Sequence, residues 1–308
     1  MDKNSEILNE KVFATIGFFD GVHKGHDFLL GELVKEAKQS MRKSMIVTFL
    51  NHPKLFFCPN KQLKLITPLT EKLIQLNEYA IDYCLLLEFD EAIATMTAEE
   101  FMVLLKNQFS VKSILLGFNN HFGSDKITNI KRYNKLTGTT GVAVKQLNSC
   151  KTLSLNNRVS SSVIRNFLKK GDIAMVNAML GKNYYVIGEV VKGNSVGRTI
   201  GFPTANIRVG EDKLLPSDGV YYVEVIIDGK RQKGMMNIGY RPTVSGTQKS
   251  VEVHILDFDR DIYGTTVEIV VNSFLRKEIK FDTLDELKSQ LVLDKMHIRT
   301  QFGSNKNR

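Results

Sequence analysis

A chain of 308 residues, 43% hydrophobic and 24% charged, has the composition of a globular protein with room for two domains, which excludes a fibrous or disordered chain. No uncharged apolar run approaches the roughly 18 residues of a membrane helix, and the chain opens with Asp2, Lys3 and Glu6 rather than a signal peptide, so we expect a cytoplasmic protein without a membrane partner. The net charge of +9 fits either nucleic acid or phosphorylated small molecules as ligands.

In the first half, short apolar runs alternate with amphipathic stretches. The runs predict strands at residues 12–19, 44–50, 82–89, 111–117 and 141–147. Between them apolar residues recur three or four apart, as at Leu73, Leu76 and Ala80, which predicts helices. The β-α-β-α order favours a doubly wound parallel sheet.

The pattern changes near Val159. Two short helices are predicted, at 160–170 and ending at Leu180, followed by strands at 184–191, 220–227, 251–256 and 266–271 separated by turn residues. This half indicates a small antiparallel barrel or sandwich. A last helix with Leu284, Leu287, Leu291 and Leu293 as its apolar stripe should pack against it. We therefore place one domain at 1–182, including the linker helices, and a second at 183–308.

The segment GFFDGVHKGH, residues 17–26, ends the first predicted strand and opens the first helix. Ligands of open α/β sheets bind at this edge, where glycines and free helix N–H groups can approach phosphate. His23 and His26 can donate hydrogen bonds to oxygens whose charge grows as pyrophosphate leaves. The alternative is an ordinary glycine turn with histidines that only cap or pack. The candidate ATP-binding residues here are Gly17, Phe19, Asp20, Gly21 and Gly25.

A second glycine-rich segment, GNSVGRTIGFPTAN, covers residues 193–206. Its backbone can donate to phosphate, and the Thr204 hydroxyl and Asn206 carbonyl oxygen are hard ligands suited to Mg²⁺. The lysine pattern of P-loop kinases is lacking. Further on, Glu252 alternates with Val251 and Val253 and can project into a pocket, although such a residue is more often a solvated strand residue.

Seven segments, in order along the chain, resemble the motifs of one family, the prokaryotic bifunctional riboflavin kinase/FMN adenylyltransferases, or FAD synthetases. The His-x-Gly-His at 23–26 is typical of the wider nucleotidyltransferase superfamily, and Pro-Thr-Ala-Asn at 203–206 is the signature of riboflavin kinases. The other segments are TFLNHP at 48–53, GFNNHFG at 117–123, VSSSVIR at 159–165, NIGYRPT at 237–243, read as a loop, and FLRKE at 274–278.

This resemblance implies an α/β plus β chain, with a Rossmann-like doubly wound nucleotidyltransferase domain followed by a Greek-key β-barrel and a C-terminal helix. It implies phosphorylation of riboflavin by ATP to FMN, and adenylyl transfer from a second ATP to FMN to give FAD and pyrophosphate, with Mg²⁺ as the metal. The substrates riboflavin, FMN and ATP are the expected partners.

The same resemblance assigns residue roles. Glu252 would be the base of the kinase step and Arg165 would assist His23 and His26, while Thr204 and Asn206 would bind Mg²⁺ with ATP. Further ATP-binding residues would be Asn119, Ser161, Ser162, Gly193, Gly197 and Arg198, and flavin-binding residues would be His52, Pro53, Asn237, Arg241 and Arg276. No role is assigned to His254.

Three positions depart from the family pattern. Asn51 replaces a proline, Asn120 stands where an aromatic residue is usual, and Ser162 replaces a threonine. An alternative is therefore a single-activity riboflavin kinase with a weakened adenylyltransferase domain.

A nucleic-acid-binding regulator is less favoured, because lysines and arginines are scattered through both halves, and we expect no nucleic-acid partner. A flavin storage or sensing protein would have little use for the metal-binding motif or the two histidines.

Overall fold

The computed structural model describes residues 10–58, 63–118, 120–147, 159–193, 196–243 and 246–302. The chain forms two compact units, residues 1–160 and 161–308, called here the N-terminal and C-terminal units. In the parts of the chain so described, no helix is both long and apolar enough to cross a membrane.

A five-stranded, wholly parallel sheet forms the centre of the N-terminal unit, in the order β3-β2-β1-β4-β5. The strands are β1 (Val12–Ile16), β2 (Lys43–Phe49), β3 (Tyr83–Leu87), β4 (Val111–Leu116) and β5 (Ala143–Gln146). All five strands expected from the sequence are present, each within two or three residues of its predicted ends.

Helices cover both faces of this sheet, as the doubly wound prediction requires. They are α1 (Lys24–Gln39), α2 (Pro53–Phe57), α3 (Leu69–Leu76), α4 (Glu91–Thr95), α5 (Ala98–Phe109) and α6 (Ile130–Thr140). One core cluster joins Leu30 and Leu33 of α1 to Phe13 and Ile46 of the sheet. The other buries the opposite sheet face against α5 and α6, through residues such as Met102.

Helix α3 differs from its predicted pattern. Its buried residues are Glu71, Lys72, Gln75 and Leu76, while Ala80 lies beyond the helix and is exposed. The spacing of Leu73, Leu76 and Ala80 identified a helix but gave the wrong buried face. Lys72 is buried here because α3 packs beside the carboxyl edge of the sheet, where two oxygen atoms accept its hydrogen bonds.

The C-terminal unit contains a closed barrel in the order β10-β7-β6-β11-β8-β9. Its strands are β6 (Tyr184–Val191), β7 (Ala205–Val209), β8 (Gly219–Ile227), β9 (Lys230–Thr243), β10 (Gly246–Ile255) and β11 (Thr266–Arg276), and its helices are α7 (Ser161–Lys170), α8 (Ile173–Leu180), α9 (Val196–Thr199) and α10 (Leu284–Phe302). Consecutive strands β8, β9 and β10 pair antiparallel, and β7 lies beside β10, which is the Greek-key order. The barrel prediction is confirmed and the sandwich alternative is not.

Two strands, β7 and β9, were not predicted, and the NIGYRPT segment is the end of β9 rather than a loop. Strand β9 pairs along most of its length with β8 on one side and β10 on the other. These two ladders satisfy the backbone of a segment whose lysines and glycines do not favour a strand locally.

Helix α10 packs on the barrel through Leu287, Leu291 and Ile298, which join a cluster with Met235. Leu284 and Leu293 of the predicted stripe are 52% and 59% exposed. Helices α7 and α8 belong to the C-terminal unit, because α8 contacts β6 and β11. A functional boundary at residue 182 stays a prediction.

Candidate functional site

The turn between β1 and α1 brings His23 and His26 together. His23 is the N-cap of α1, and its Nδ1 accepts a hydrogen bond from the backbone N–H of His26 at 3.3 Å. The two rings stack with centroids 3.8 Å apart and planes 11° apart. Because Nδ1 of His23 is an acceptor, its neutral ring carries the proton on Nε2.

Both rings are neutral near pH 7. Burial lowers the pKa of His23 from 6.5 to about 4. Burial, and then the neighbouring His23, lower the pKa of His26 well below its usual value. Nδ1 of His26 is buried and has no hydrogen-bond partner among the described residues. The pair therefore offers uncharged N–H donors, whose charge stays constant across the physiological range.

Close packing in the turn depends on Gly25 and Gly17. A Cβ on Gly25 would lie 3.1 Å from the His23 ring, and one on Gly17 would lie 3.0 Å from the Phe19 ring. Phe19 is only 2% exposed and its side chain joins the core, so only its backbone can face a ligand. Gly21 has φ of 90°, which favours glycine.

Asp20, predicted to bind ATP, is buried beneath this turn. Its Oδ1 accepts a hydrogen bond from the backbone N–H of Thr67 at 3.0 Å, and the Thr67 hydroxyl accepts one from the N–H of Gly21 at 2.8 Å. These contacts fix the shape of the turn. A direct contact between Asp20 and a ligand stays a prediction.

Lys72 is a buried ammonium at the same sheet edge. Nζ donates to Thr48 Oγ1 at 3.2 Å and to the Phe49 carbonyl at 2.9 Å, and it lies 4.1 Å from the centroid of the Phe18 ring. Burial lowers its pKa to about 8, although the charge of Asp20 opposes that shift. Lys72 thus ties the end of β2 to the turn after β1.

The predicted flavin residues of this unit lie close to that turn. The rings of His52 and Phe18 have centroids 4.3 Å apart. His52 is the N-cap of α2, and Pro53 is its first residue, where the missing N–H costs nothing. Asn119 lies outside the described residues.

Both asparagines that depart from the family pattern make hydrogen bonds. Asn51 Nδ2 donates to the Phe89 carbonyl at 2.9 Å, and Asn51 Oδ1 accepts from the Phe89 N–H at 2.7 Å. Asn120 Nδ2 donates to the Ile16 carbonyl at the end of β1. Each therefore fixes the backbone of a neighbouring sheet segment.

Ser161, Ser162 and Arg165 lie in α7, which begins at Ser161, and so belong to the C-terminal unit. The sequence prediction of hydroxyls at a helix start, with a guanidinium about one turn later, agrees with this helix. A role for Arg165 toward the histidines stays a prediction.

A second site lies on three adjacent strands of the barrel. Glu252 of β10 is the direct partner of Asn206 on β7 and of Asn237 on β9. Directly opposed residues project to the same side of a sheet with Cβ atoms about 5 Å apart. Val251 and Val253 are buried while Glu252 is partly exposed, as the alternation predicted. The register thus places a carboxylate between two amides.

The glycine-rich segment folds back on this row. A Cβ on Gly193 would overlap the Asn206 side chain, and one on Gly197 would overlap the Phe202 carbonyl and lie 3.5 Å from Cγ2 of Thr204. The two glycines therefore permit the backbone to approach the predicted metal-binding side chains closely.

An open cavity of about 370 Å³ adjoins this segment. Arg198, Pro203 and Thr204 line one part of it, and residues 258–263 line another. The size matches a small-molecule pocket. Residues 258–263 were not predicted as site residues, because charged residues flanked by apolar ones after a strand also indicate an ordinary surface turn.

Arg276, for which flavin binding stays a prediction, contacts α10. Its guanidinium contacts the Asp294 carboxylate at 2.8 to 3.1 Å in a bidentate pair whose side chains are 18% and 7% exposed. Asn237 Nδ2 donates to Glu278 at 3.1 Å. The side chain of Arg241 lies outside the described residues. Asp294 and Lys72 were missed because a charge on an amphipathic helix normally indicates a solvated face.

Two family models match the chain, FAD synthetase over residues 5–163 and riboflavin kinase over residues 180–302. The chain is 36% identical to the bifunctional riboflavin kinase/FMN adenylyltransferase of Escherichia coli strain K12, over 98% of this chain and 96% of that protein. It is 32% identical to the protein of the same description from Bacillus subtilis, over 96% and 93%. A solved structure described as a macrolide-efflux protein from Streptococcus pneumoniae superposes with a TM-score of 0.86 at 32% identity, over 94% of each chain.

Proposed function

Because the chain belongs to the family of bifunctional riboflavin kinase/FMN adenylyltransferases, we propose that its C-terminal unit phosphorylates riboflavin and its N-terminal unit adenylylates the resulting FMN. The chain is an enzyme that transfers phosphorus-containing groups, with riboflavin, FMN and ATP as substrates. The observation that carries the residue assignments is the cross-strand row in which Glu252 lies between Asn206 and Asn237.

In the kinase step Glu252 acts as the base. The ribityl 5′-hydroxyl of riboflavin loses its proton to the Glu252 carboxylate as its oxygen attacks the γ-phosphorus of ATP, and ADP leaves. Asn237, on the next strand, orients the flavin. The backbone at Gly193 and Gly197 donates to phosphate, and the cavity beside Arg198 and Thr204 holds the rest of the nucleotide.

Thr204 and Asn206 fit Mg²⁺ that arrives with ATP. The described residues contain no group of three or more His, Cys, Asp or Glu side chains that could hold a metal ion. Mg²⁺ commonly uses one or two protein ligands together with substrate phosphates, so a hydroxyl and an amide oxygen suffice. When bound, Mg²⁺ would neutralise charge on the phosphates, and Thr204 and Asn206 would be the residues that hold it.

In the adenylyl step an FMN phosphate oxygen attacks the α-phosphorus of a second ATP and pyrophosphate leaves. His23 and His26 donate N–H groups to the leaving oxygens, and the turn from Gly17 to Gly25 holds the nucleotide through its backbone. His52 and Pro53 lie on the flavin side. The predicted roles of Arg165, Ser161 and Ser162 are the binding of phosphate by a charged donor and two hydroxyls.

The alternative of a single-activity riboflavin kinase with a weakened adenylyltransferase domain rests on Asn51 and Asn120. Both side chains satisfy backbone groups at the sheet edge, Asn51 at Phe89 and Asn120 at Ile16. Because both substituted residues make hydrogen bonds at the edge of the parallel sheet, they favour an active adenylyltransferase site over a weakened one. The efflux description of the Streptococcus pneumoniae structure does not favour transport here, because the two matching family models both describe flavin-synthesising domains.

A cytosolic location and the lack of a nucleic-acid partner also stay predictions. They are supported by a composition typical of soluble enzymes and by scattered basic residues.

The test is to incubate the purified chain with riboflavin, ATP and Mg²⁺ and to separate the flavins by chromatography. We expect FMN first and FAD afterwards. Accumulation of FMN without FAD would support the single-activity alternative, and no conversion of riboflavin would overturn the kinase assignment. In matched variants His26→Ala should stop FAD formation and spare FMN formation, while Glu252→Ala should stop FMN formation and spare FAD formation from supplied FMN.

A further inference from the structure

His254 connects two parts of the C-terminal unit that are far apart in sequence. It lies on β10, two residues after Glu252, and is 6% exposed. Its Nδ1 is 2.8 Å from the carbonyl oxygen of Pro203, and its ring centroid is 5.1 Å from that of Phe202. Pro203 immediately precedes Thr204, so one imidazole joins the strand of Glu252 to the segment of Thr204.

The carbonyl partner determines the tautomer of this ring. A carbonyl oxygen only accepts hydrogen bonds, so Nδ1 of His254 must carry a proton. Burial lowers the pKa of His254, which favours the neutral ring with Nε2 unprotonated. Nε2 is buried and has no hydrogen-bond partner in the portion of the chain that the structure describes. The other tautomer would turn a lone pair toward the Pro203 oxygen and is unfavourable.

We propose that His254 is a positioning residue for the kinase step, whose Nδ1–H holds the Pro203 carbonyl and thereby sets the place of Thr204 relative to Glu252. This role rests on the proposed kinase function. A structural alternative is that the His254 ring only packs beside Phe202, in which case every variant that loses the ring should be impaired alike.

The position matters because phosphoryl transfer relies mainly on alignment. The metal-binding Thr204 and the base Glu252 come from different segments, and Pro203 has no N–H with which to join a strand ladder. The carbonyl is therefore the one backbone group of Pro203 that can take part in a hydrogen bond, and the imidazole N–H donates to it. Misplacement by about 1 Å can lower a rate by about a hundredfold.

Two variants separate the hydrogen bond from the ring. In His254→Asn the amide nitrogen can take the place of Nδ1, and in His254→Gln it can take only the place of Nε2. Both lose the aromatic ring. We expect His254→Asn to keep kcat for FMN formation within about threefold of wild type and His254→Gln to lower it about tenfold or more, with KM for riboflavin changed less than about twofold in both.

FAD formation from supplied FMN serves as the control and should be equal in all three proteins. Equal kcat losses in the Asn and Gln variants would overturn the positioning role in favour of simple packing. If the wild-type chain itself made no FMN, the proposed kinase function would be wrong, and the positioning role of His254 would then be wrong as well.

A spectroscopic measurement tests the tautomer of His254 independently of any activity assay. In a long-range ¹H–¹⁵N spectrum, with the His254 signals assigned from their loss in His254→Asn, we expect the proton on Nδ1 at neutral pH. A proton on Nε2 would contradict the hydrogen bond to Pro203.

Discussion

His23 and His26 stack face to face at the start of α1, with ring centroids 3.8 Å apart and planes 11° apart. Two imidazolium ions could not share this buried geometry without repulsion and loss of hydration. Burial lowers the pKa of both rings, and for His26 the neighbouring His23 lowers it further, so both rings stay neutral. A neutral pair can donate hydrogen bonds to the pyrophosphate oxygens. It also places no buried positive charge in the enzyme before substrate binds.

This neutrality leads to a stability prediction. The pKa of His23 is about 4 in the folded chain, against 6.5 for an ordinary histidine. Below pH 6.5 the unfolded chain takes up a proton that the folded chain refuses, so stability falls as pH falls toward 4 and is regained above 6.5. At about pH 5 the part of this loss that comes from His23 should be about 2 kcal/mol relative to neutral pH.

Urea denaturation at both pH values, compared with His23→Asn, measures this effect. Asparagine is also a good N-cap but does not titrate, so the variant should lose less stability on acidification. Equal losses in the two proteins would contradict the low pKa. Rate measurements are less suited to this test, because a phosphate ester titrates near pH 6.

The Asn51 prediction concerns the departure from the family proline. Asn51→Ala removes both hydrogen bonds to Phe89 and should destabilise the N-terminal unit by about 1 to 3 kcal/mol, with a parallel fall in FAD formation. Thermal unfolding is the measurement. Asn51→Asp keeps the acceptor for the Phe89 N–H and loses the donor, so its stability should lie between those of the wild type and Asn51→Ala. An alanine variant as stable as wild type would show that the pair contributes nothing.

For Gly193 we expect a selective loss of kinase activity. Gly193→Ala introduces a Cβ that overlaps the Asn206 side chain and must displace it from the row with Glu252. FMN formation should fall on the order of a hundredfold, because Asn206, the proposed ligand of the metal nucleotide, is misplaced. FAD formation from supplied FMN should not change. Gly210→Ala is the control, since its Cβ would meet only the flexible carboxylate of Asp212 at 3.0 Å; an equal effect of both would contradict the argument.

The last prediction concerns Asp294. Asp294→Ala leaves the Arg276 guanidinium mostly buried without its bidentate partner and should destabilise the C-terminal unit by about 3 to 5 kcal/mol. Chemical denaturation of this variant is compared with Arg208→Ala, whose ion pair with Glu189 is exposed and should contribute less than about 1 kcal/mol. Similar values for the two variants would show that the Arg276 pair is not a structural anchor.

The sequence by itself determined the two architectures and most of the chemistry. Alternation of apolar strands with amphipathic helices is a local signal, and it predicted the parallel sheet in full. Glycines beside histidines, and the Pro-Thr-Ala-Asn segment, have residue types that suit phosphate sites, and the family resemblance favoured that interpretation over ordinary turns.

Only the tertiary structure decided which polar side chains are buried and which meet. Local periodicity located α3 but not its buried face, since Lys72 is held by oxygen atoms of β2. Strands β7 and β9 form because neighbouring strands pair with them, and the local sequence of a segment does not show which strand will pair with it. The row of Asn206, Glu252 and Asn237 and the contact of His254 with Pro203 depend on register between distant segments. Register is a property of the assembled barrel, so these contacts follow from packing between strands rather than from any one of them.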